Sequence, residues 1–358
     1  MASEVNICIV GLGHWGPNIV RSFENNPNAK VVAAVDQSDE RRALIKSKIP
    51  DLTIYSSLEE SLSNHPEINS VVVATPTETH HQVGMQALMA GKHLLMEKPL
   101  AHTSESALEL LETAERQKVI LMTGHIFLYN NAIKEMKRII DANELGKVLY
   151  MRSVRSNLGP LRSDVNALWD LAAHDISIFN YLYDSNPIRV SCTAFSPLGM
   201  QQEDIAQGSL IYPGNRVATF FVSWVDPKKQ REITLVGDEQ MLTFDDMNPT
   251  RPLRRYDKGV RMHPKDQYSD TFQSFRMSIH QGETTELDVT TGSPLEAECN
   301  HFVDCVANRK QPLSDGKNGL EIVRILEALT RSQHEKGNPI SVWNSDRPAK
   351  YIANGGSY

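Results

Sequence analysis

Three groups of residues in this chain have types and spacings that could do chemistry. The first is Gly11-Leu12-Gly13-His14-Trp15-Gly16, which follows the apolar run Ile7 to Val10 and precedes an amphipathic helical pattern. Between a strand and a helix, the first glycine permits a tight turn and the second lets a pyrophosphate approach the backbone. The third lets helix pack on strand, and the helix start offers free N–H groups to the phosphates. Asp36 ends the next strand pattern, where a carboxylate accepts hydrogen bonds from adenosine ribose hydroxyls. That carboxylate repels a 2′-phosphate, so the pattern favours NAD over NADP, although Arg41 and Arg42 lie just downstream and offer a phosphate a cation.

The second group sits in turns after later strand patterns, and in a parallel sheet the carboxyl ends of strands carry the ligands. Val71 to Ala74 runs into Thr75-Pro76-Thr77-Glu78-Thr79-His80, and His93 to Met96 runs into Glu97-Lys98-Pro99; His125 stands at a further strand end. At this point the chain resembles the Gfo/Idh/MocA family of oxidoreductases. The resemblance is carried by GLGHWG, Asp36, ATPTETHH, MEKPLA, GHIFLYNNA and Asp170-Leu171-Ala172-Ala173-His174-Asp175. It implies that Lys98, Asp170 and His174 line a substrate pocket beside the nicotinamide, and that His80 neighbours the cofactor. Ala172 stands where the family pattern often has glycine. Gly11, Gly13, His14, Trp15, Gly16, Asp36, Arg41, Thr75, Pro76, Thr77, His80, Glu97, Lys98 and His125 are the expected cofactor-binding set.

Oxidising a secondary alcohol requires a base for the hydroxyl proton as hydride leaves. An imidazole titrates near ~6.5, whereas a lysine starting near ~10.4 must fall by about three units, roughly 4 kcal/mol of differential stabilisation. His174 is therefore expected as the base and Lys98 as the charge that orients the alcohol and stabilises alkoxide. Asp170 would orient the histidine or bind a substrate hydroxyl, and the reversed assignment with Lys98 as base stays open. The preceding segment contributes Arg155, Asn157, Arg162, Asn166 and Trp169, a set of bidentate donors, amides and one aromatic face suited to a polyhydroxylated or anionic ligand. Here the chain looks like the branch of the family that oxidises nucleotide sugars, making 3-keto derivatives of UDP-N-acetylglucosamine or its uronate. A dehydrogenase of free sugars, sugar phosphates or inositols is the alternative within enzymes, and a non-catalytic NAD-binding regulator the alternative outside them.

The elements that must position these residues follow from periodicity. To about residue 123, short β-branched runs alternate with helix-length amphipathic stretches, the rhythm of a doubly wound parallel sheet. After Gly124, strand patterns follow one another over 148–244, which indicates a mostly antiparallel sheet and an α+β second part. The dense Pro, Gly and charge signals over 248–264 read as a surface excursion. Two helices, near Pro294 to Ala307 and Gly316 to Gln333, close the chain. The expected division is an NAD-binding Rossmann domain over 1–123 and a substrate-binding and oligomerisation domain over 124–358, whose closing helices have the option of packing back on the first. An open sheet face implies a homo-oligomer, dimer or tetramer.

Composition bounds the partners. A net charge of -7 with only short basic clusters argues against nucleic acid, and no apolar run approaches the ~18 residues needed to span a bilayer. Cys8, Cys192, Cys299 and Cys305 share no metal or disulfide spacing, so no metal is expected. The expected setting is cytoplasmic, with a small-molecule sugar or nucleotide sugar as partner.

Overall fold

A computed structural model describes residues 4–159, 165–199, 201–262 and 277–343, and the structural statements that follow concern these. One compact unit runs up to Tyr129 and includes Ser293–Glu327; the other is Asn130–Gly292 with the chain from Ala328 onward.

In the first unit, β1 (Val5–Val10), β2 (Ala29–Val35), β3 (Thr53–Tyr55), β4 (Ser70–Val73), β5 (His93–Glu97) and β6 (Leu121–Gly124) form one sheet in the order β3-β2-β1-β4-β5-β6. Every neighbouring pair is parallel. Such a sheet is covered on both faces, which is why β4 is buried at all four positions and β5 at its first four. Helices α1 (Gly16–Glu24), α2 (Asp39–Lys48), α3 (Leu58–Asn64), α4 (His80–Met89) and α5 (Ser104–Gln117) connect the strands. Ser38, Ser57 and Thr103 cap α2, α3 and α5 by accepting backbone N–H bonds. The chain leaves β1 toward β2 and β3 on one side and returns through β4 on the other, so the carboxyl ends of β1 and β4 flank the point where strand order reverses, the usual place for a ligand.

The second unit holds α6 (Asn131–Asp141), β7 (Val148–Leu158), a π-helical turn (Leu168–Ala172), α7 (Ala173–Tyr183), β8 (Arg189–Phe195), β9 (Ile205–Tyr212), β10 (Arg216–Ser223), β11 (Val225–Gly237), β12 (Met241–Asp245), β13 (Leu253–Met262) and β14 (Met277–Leu287). α8 (Pro294–Asn308) belongs to the first unit, α9 (Gly316–His334) passes from the first into the second, and β15 (Ile340–Ser341) completes the second sheet. Its order is β14-β13-β12-β11-β7-β10-β9-β8-β15, with β7 and β10 parallel and the other pairs antiparallel. α7 lies on one face: Tyr183 Oη donates to the Val217 carbonyl (2.9 Å), and Tyr212 Oη donates to Asn180 Oδ1 (2.8 Å). The register places Tyr150, Val217 and Phe221 on the opposite face, with Phe195 at its edge.

The expected surface excursion over 248–264 is corrected by β13. Among the described residues of that span, which end at 262, only Asn248–Arg251 forms a turn, in which Asn248 Oδ1 accepts the N–H groups of Thr250 and Arg251; residues 263 and 264 lie outside the described residues. Leu253–Met262 pairs with β12 on one side and β14 on the other. Its composition of charges and glycine conceals a strand whose reason for existing is two partners distant in sequence.

Candidate functional site

The glycine turn is built from three unequal positions. Gly11 has φ +98°, and a Cβ there would lie 2.6 Å from the Ala74 carbonyl oxygen. At Gly16 a Cβ would lie 2.5 Å from the Gly11 carbonyl oxygen. Both glycines are therefore required by the turn itself. At Gly13 the nearest atom to such a Cβ is Arg41 Nη1 at 3.7 Å, so the glycine is not required by the fold, and what it keeps clear is the space before α1. Trp15 heads α1 without a side-chain cap; Pro17 carries no N–H and the Asn18 N–H donates to the Trp15 carbonyl (3.0 Å), so of the first three residues of the helix Gly16 is the one whose N–H is left for a ligand. His14 and Trp15 are exposed at this mouth with their rings edge to face, centroids 5.7 Å apart.

Asp36 closes the other side. Its carboxylate accepts the N–H groups of Leu12 (2.7 Å) and Ser38 (2.9 Å), which fixes it between the glycine turn and the start of α2 while leaving further lone pairs. Arg41 Nη1 stands 3.9 Å from Asp36 Oδ2 on an exposed side chain. Arg42 is engaged elsewhere, donating to the carbonyls of Asp36 and Gln37 and to the Asp39 carboxylate. A clear space at Gly13, a helix start at Gly16 without a side-chain cap and an anchored carboxylate fit a dinucleotide.

The turns after β4 and β5 are tied together by His80. Its ring is buried, with Nδ1 2.9 Å from the Pro99 carbonyl oxygen and Nε2 3.0 Å from that of Thr75. The residue expected beside the cofactor thus sits between the loop carrying Thr75, Pro76 and Thr77 and the turn carrying Glu97 and Lys98, and a neutral ring donates to one of the two carbonyls. Within the first loop Thr79 Oγ1 donates to Thr75 Oγ1 (2.7 Å), and Thr77 is buried. Lys98 is half-buried, and its N–H donates to Glu97 Oε2 (3.2 Å). His125 is fully buried, and neither ring nitrogen has a hydrogen-bond partner; burial, and then the charge of Lys98, lower its pKa to about 3.

In the second unit, Asp170 lies within the π-helical turn and His174 follows in α7. Such turns widen a helix by one residue and recur at functional sites. Trp224, buried where β10 gives way to β11, donates its indole N–H to Asp170 Oδ2 (3.2 Å), a support that the D-x-x-x-H spacing does not reveal.

The residues expected to hold substrate are placed differently from one another. Arg155 is buried, and its Nε and Nη2 donate to the equally buried Asp175 (2.8 Å for the shortest contact), so this guanidinium fastens β7 to the first turn of α7. Asp175, next to His174, is the missed partner. Asn166 is similarly committed, donating to Glu203 Oε2 (2.9 Å) and accepting the Trp169 N–H (3.1 Å). Trp169 donates its indole N–H to Thr330 Oγ1 (3.0 Å), and Asn157 donates to the Gly159 carbonyl. Arg162 lies outside the described residues.

The first unit is made to hold a dinucleotide, and residues 5–125 match the oxidoreductase family with an NAD-binding Rossmann fold. Residues 133–243 match the GFO/IDH/MocA C-terminal domain, and the chain belongs to the Gfo/Idh/MocA family of oxidoreductases. Among its relatives, UDP-N-acetylglucosamine 3-dehydrogenase of Acidithiobacillus ferrooxidans is 23% identical over 316 residues, 88% of this chain and 93% of that one. Inositol 2-dehydrogenase 2 of Saccharopolyspora erythraea is 32% identical over 196 residues, which span 54% of this chain and 57% of that enzyme. Among solved structures, the WlbA dehydrogenase of Bordetella pertussis in complex with NADH and UDP-GlcNAcA superposes with a TM-score of 0.79 at 17% identity, covering 95% of this chain and 98% of that one. At that identity the likeness is one of fold.

Proposed function

We propose that the protein catalyses NAD-dependent oxidation of a secondary hydroxyl, at C3, of a nucleotide sugar of the UDP-N-acetylglucosamine type. The observation that supports the catalytic part is Asp170 on a widened helical turn, held by the Trp224 indole, with His174 directly after it at the start of α7. The alignment with a UDP-N-acetylglucosamine 3-dehydrogenase over 88% of this chain supports the choice of substrate.

In this reading Gly11, Gly13 and Gly16 hold the dinucleotide at the start of α1, with Asp36 on the adenosine ribose and Arg41 at the rim. When bound, the nicotinamide supplies the hydride acceptor. His174 takes the hydroxyl proton, Asp170 orients the imidazole or a substrate hydroxyl, and Lys98 stabilises the developing alkoxide. Trp169 stays in the proposal for its aromatic face and Asn157 for its amide oxygen, their N–H donors being bonded within the protein, with Arg162. Arg155 and Asn166 leave it, because their polar atoms already hold the protein to itself. The open sheet face carrying Tyr150 and Phe221 is read as the surface that meets a second copy, and the cytoplasm as the setting.

Incubation with NAD and UDP-N-acetylglucosamine, its uronate, the free sugars and the inositols, followed by nicotinamide absorbance, tests the substrate. A higher kcat/KM for the UDP-linked sugar than for its free counterpart is expected, since remote contacts supply binding energy to the transition state. Preference for inositol is the second reading, favoured by an alignment at 27% identity over 97% of this chain with another inositol 2-dehydrogenase of Saccharopolyspora erythraea. NAD binding without turnover of any of these compounds would favour a regulator.

A further inference from the structure

Inside the first unit, beside the Glu97–Lys98–Pro99 turn, lies a cavity of about 10 Å³. Its walls include Ile19, Val72 and Leu95, and it has two acids, Glu97 at the end of β5 and Glu298 from α8. A space of this size holds one water at most. The Glu97 carboxylate is folded against the backbone at Gly124, where an added Cβ would come within 3.4 Å of it, and Glu97 Oε2 accepts the N–H of Lys98. The conformation of Glu97 and the path of the chain at Lys98 are therefore coupled. Glu298 is buried, and its Oε1 has no hydrogen-bond partner.

An ionised carboxylate at Glu298 would face two penalties, loss of hydration and repulsion from Glu97. A neutral acid avoids both and brings a hydroxyl donor to the side of the cavity it shares with a carboxylate. Burial first, and Glu97 second, push the Glu298 carboxyl well above the usual carboxylate range. The thiol of Cys299 and the phenol of Tyr129 are likewise pushed up chiefly by burial.

We propose that Glu298 is a neutral carboxylic acid that positions Glu97, directly or through one water, and thereby the backbone that presents Lys98. It is a positioning residue rather than a catalytic one, and its kinetic consequence rests on the reading of Lys98 given above. The first test is a difference infrared spectrum at neutral pH between the full-length protein and Glu298→Gln. A protonated-carboxyl band lost in the variant is expected, and no such band in the normal protein overturns the proposal.

The second test is kinetic. Displacements of about 1 Å near the chemistry can cost about 10²-fold, so Glu298→Leu should lose at least about tenfold in kcat with NAD affinity held. Glu298→Gln, which keeps a neutral donor, should recover most of that loss. A Gln variant as impaired as the Leu variant overturns the neutral-donor role, and if the Leu variant fails to fold, the spectrum and the Gln variant still decide. Lys98→Met, measured alongside, separates the two readings: full turnover there removes Lys98 from the mechanism, whereas the infrared band answers for Glu298 alone.

Discussion

His125 is the group through which acid should destabilise the first unit. Its ring is fully buried without a hydrogen-bond partner, and burial, assisted by Lys98, lowers its pKa to about 3 from the ~6.5 of a solvated imidazole. The folded chain thus binds fewer protons than the unfolded chain between those values. Stability from this group is present above about pH 6.5 and is lost as pH falls toward 3. At pH 5 the unfolded imidazole is about 1.5 units below its pKa, and at ~1.4 kcal/mol per unit the loss is about 2 kcal/mol. His93, lowered to about 4 chiefly by burial, adds a loss of the same sign. His125→Gln removes the titration, so its decline in urea stability between pH 7 and pH 5 should be smaller than that of the normal protein by about 2 kcal/mol. The histidine ring-proton resonances give the pKa directly. A His125 resonance that titrates between pH 5 and 7, or equal pH slopes for the two proteins, would refute the reasoning.

The other predictions concern the two halves of the site. Gly13→Val should fold and lose NAD binding, because its Cβ enters the space kept for the dinucleotide, whereas Gly11→Val should lose the fold by colliding with the Ala74 carbonyl; calorimetric NAD titration and circular dichroism separate them. Arg155→Met should cost about 3–5 kcal/mol in denaturant unfolding by stranding Asp175, and adding Asp175→Leu should recover most of it. If the single variant is as stable as the normal protein, Arg155 is not the fastening described. His174→Ala should lose about 10² to 10⁴ in turnover together with the acid limb of its pH profile. Lys98→Met should be slow yet keep that limb, and the opposite pattern exchanges the two roles.

The sequence by itself determined the first sheet, because each of its features is local. Parallel strands buried on both faces need continuous β-branched runs, Gly11 and Gly16 are forced by a turn a few residues long, and Asp36 ends the adjoining strand. D-x-x-x-H was legible for the same reason, since its residues lie about one helical turn apart. What only the tertiary structure decided were the partners distant in sequence. Arg155 looked like a ligand-binding cation until Asp175, twenty positions on, claimed its guanidinium. His80 was legible as a candidate cofactor neighbour, but the Pro99 and Thr75 carbonyls that face its ring were not. Trp224 supports Asp170 across 54 positions, and β13 exists because β12 and β14 flank it. Composition and spacing report what a residue can do; which of its polar atoms remain for a substrate depends on which distant groups folding brings against them.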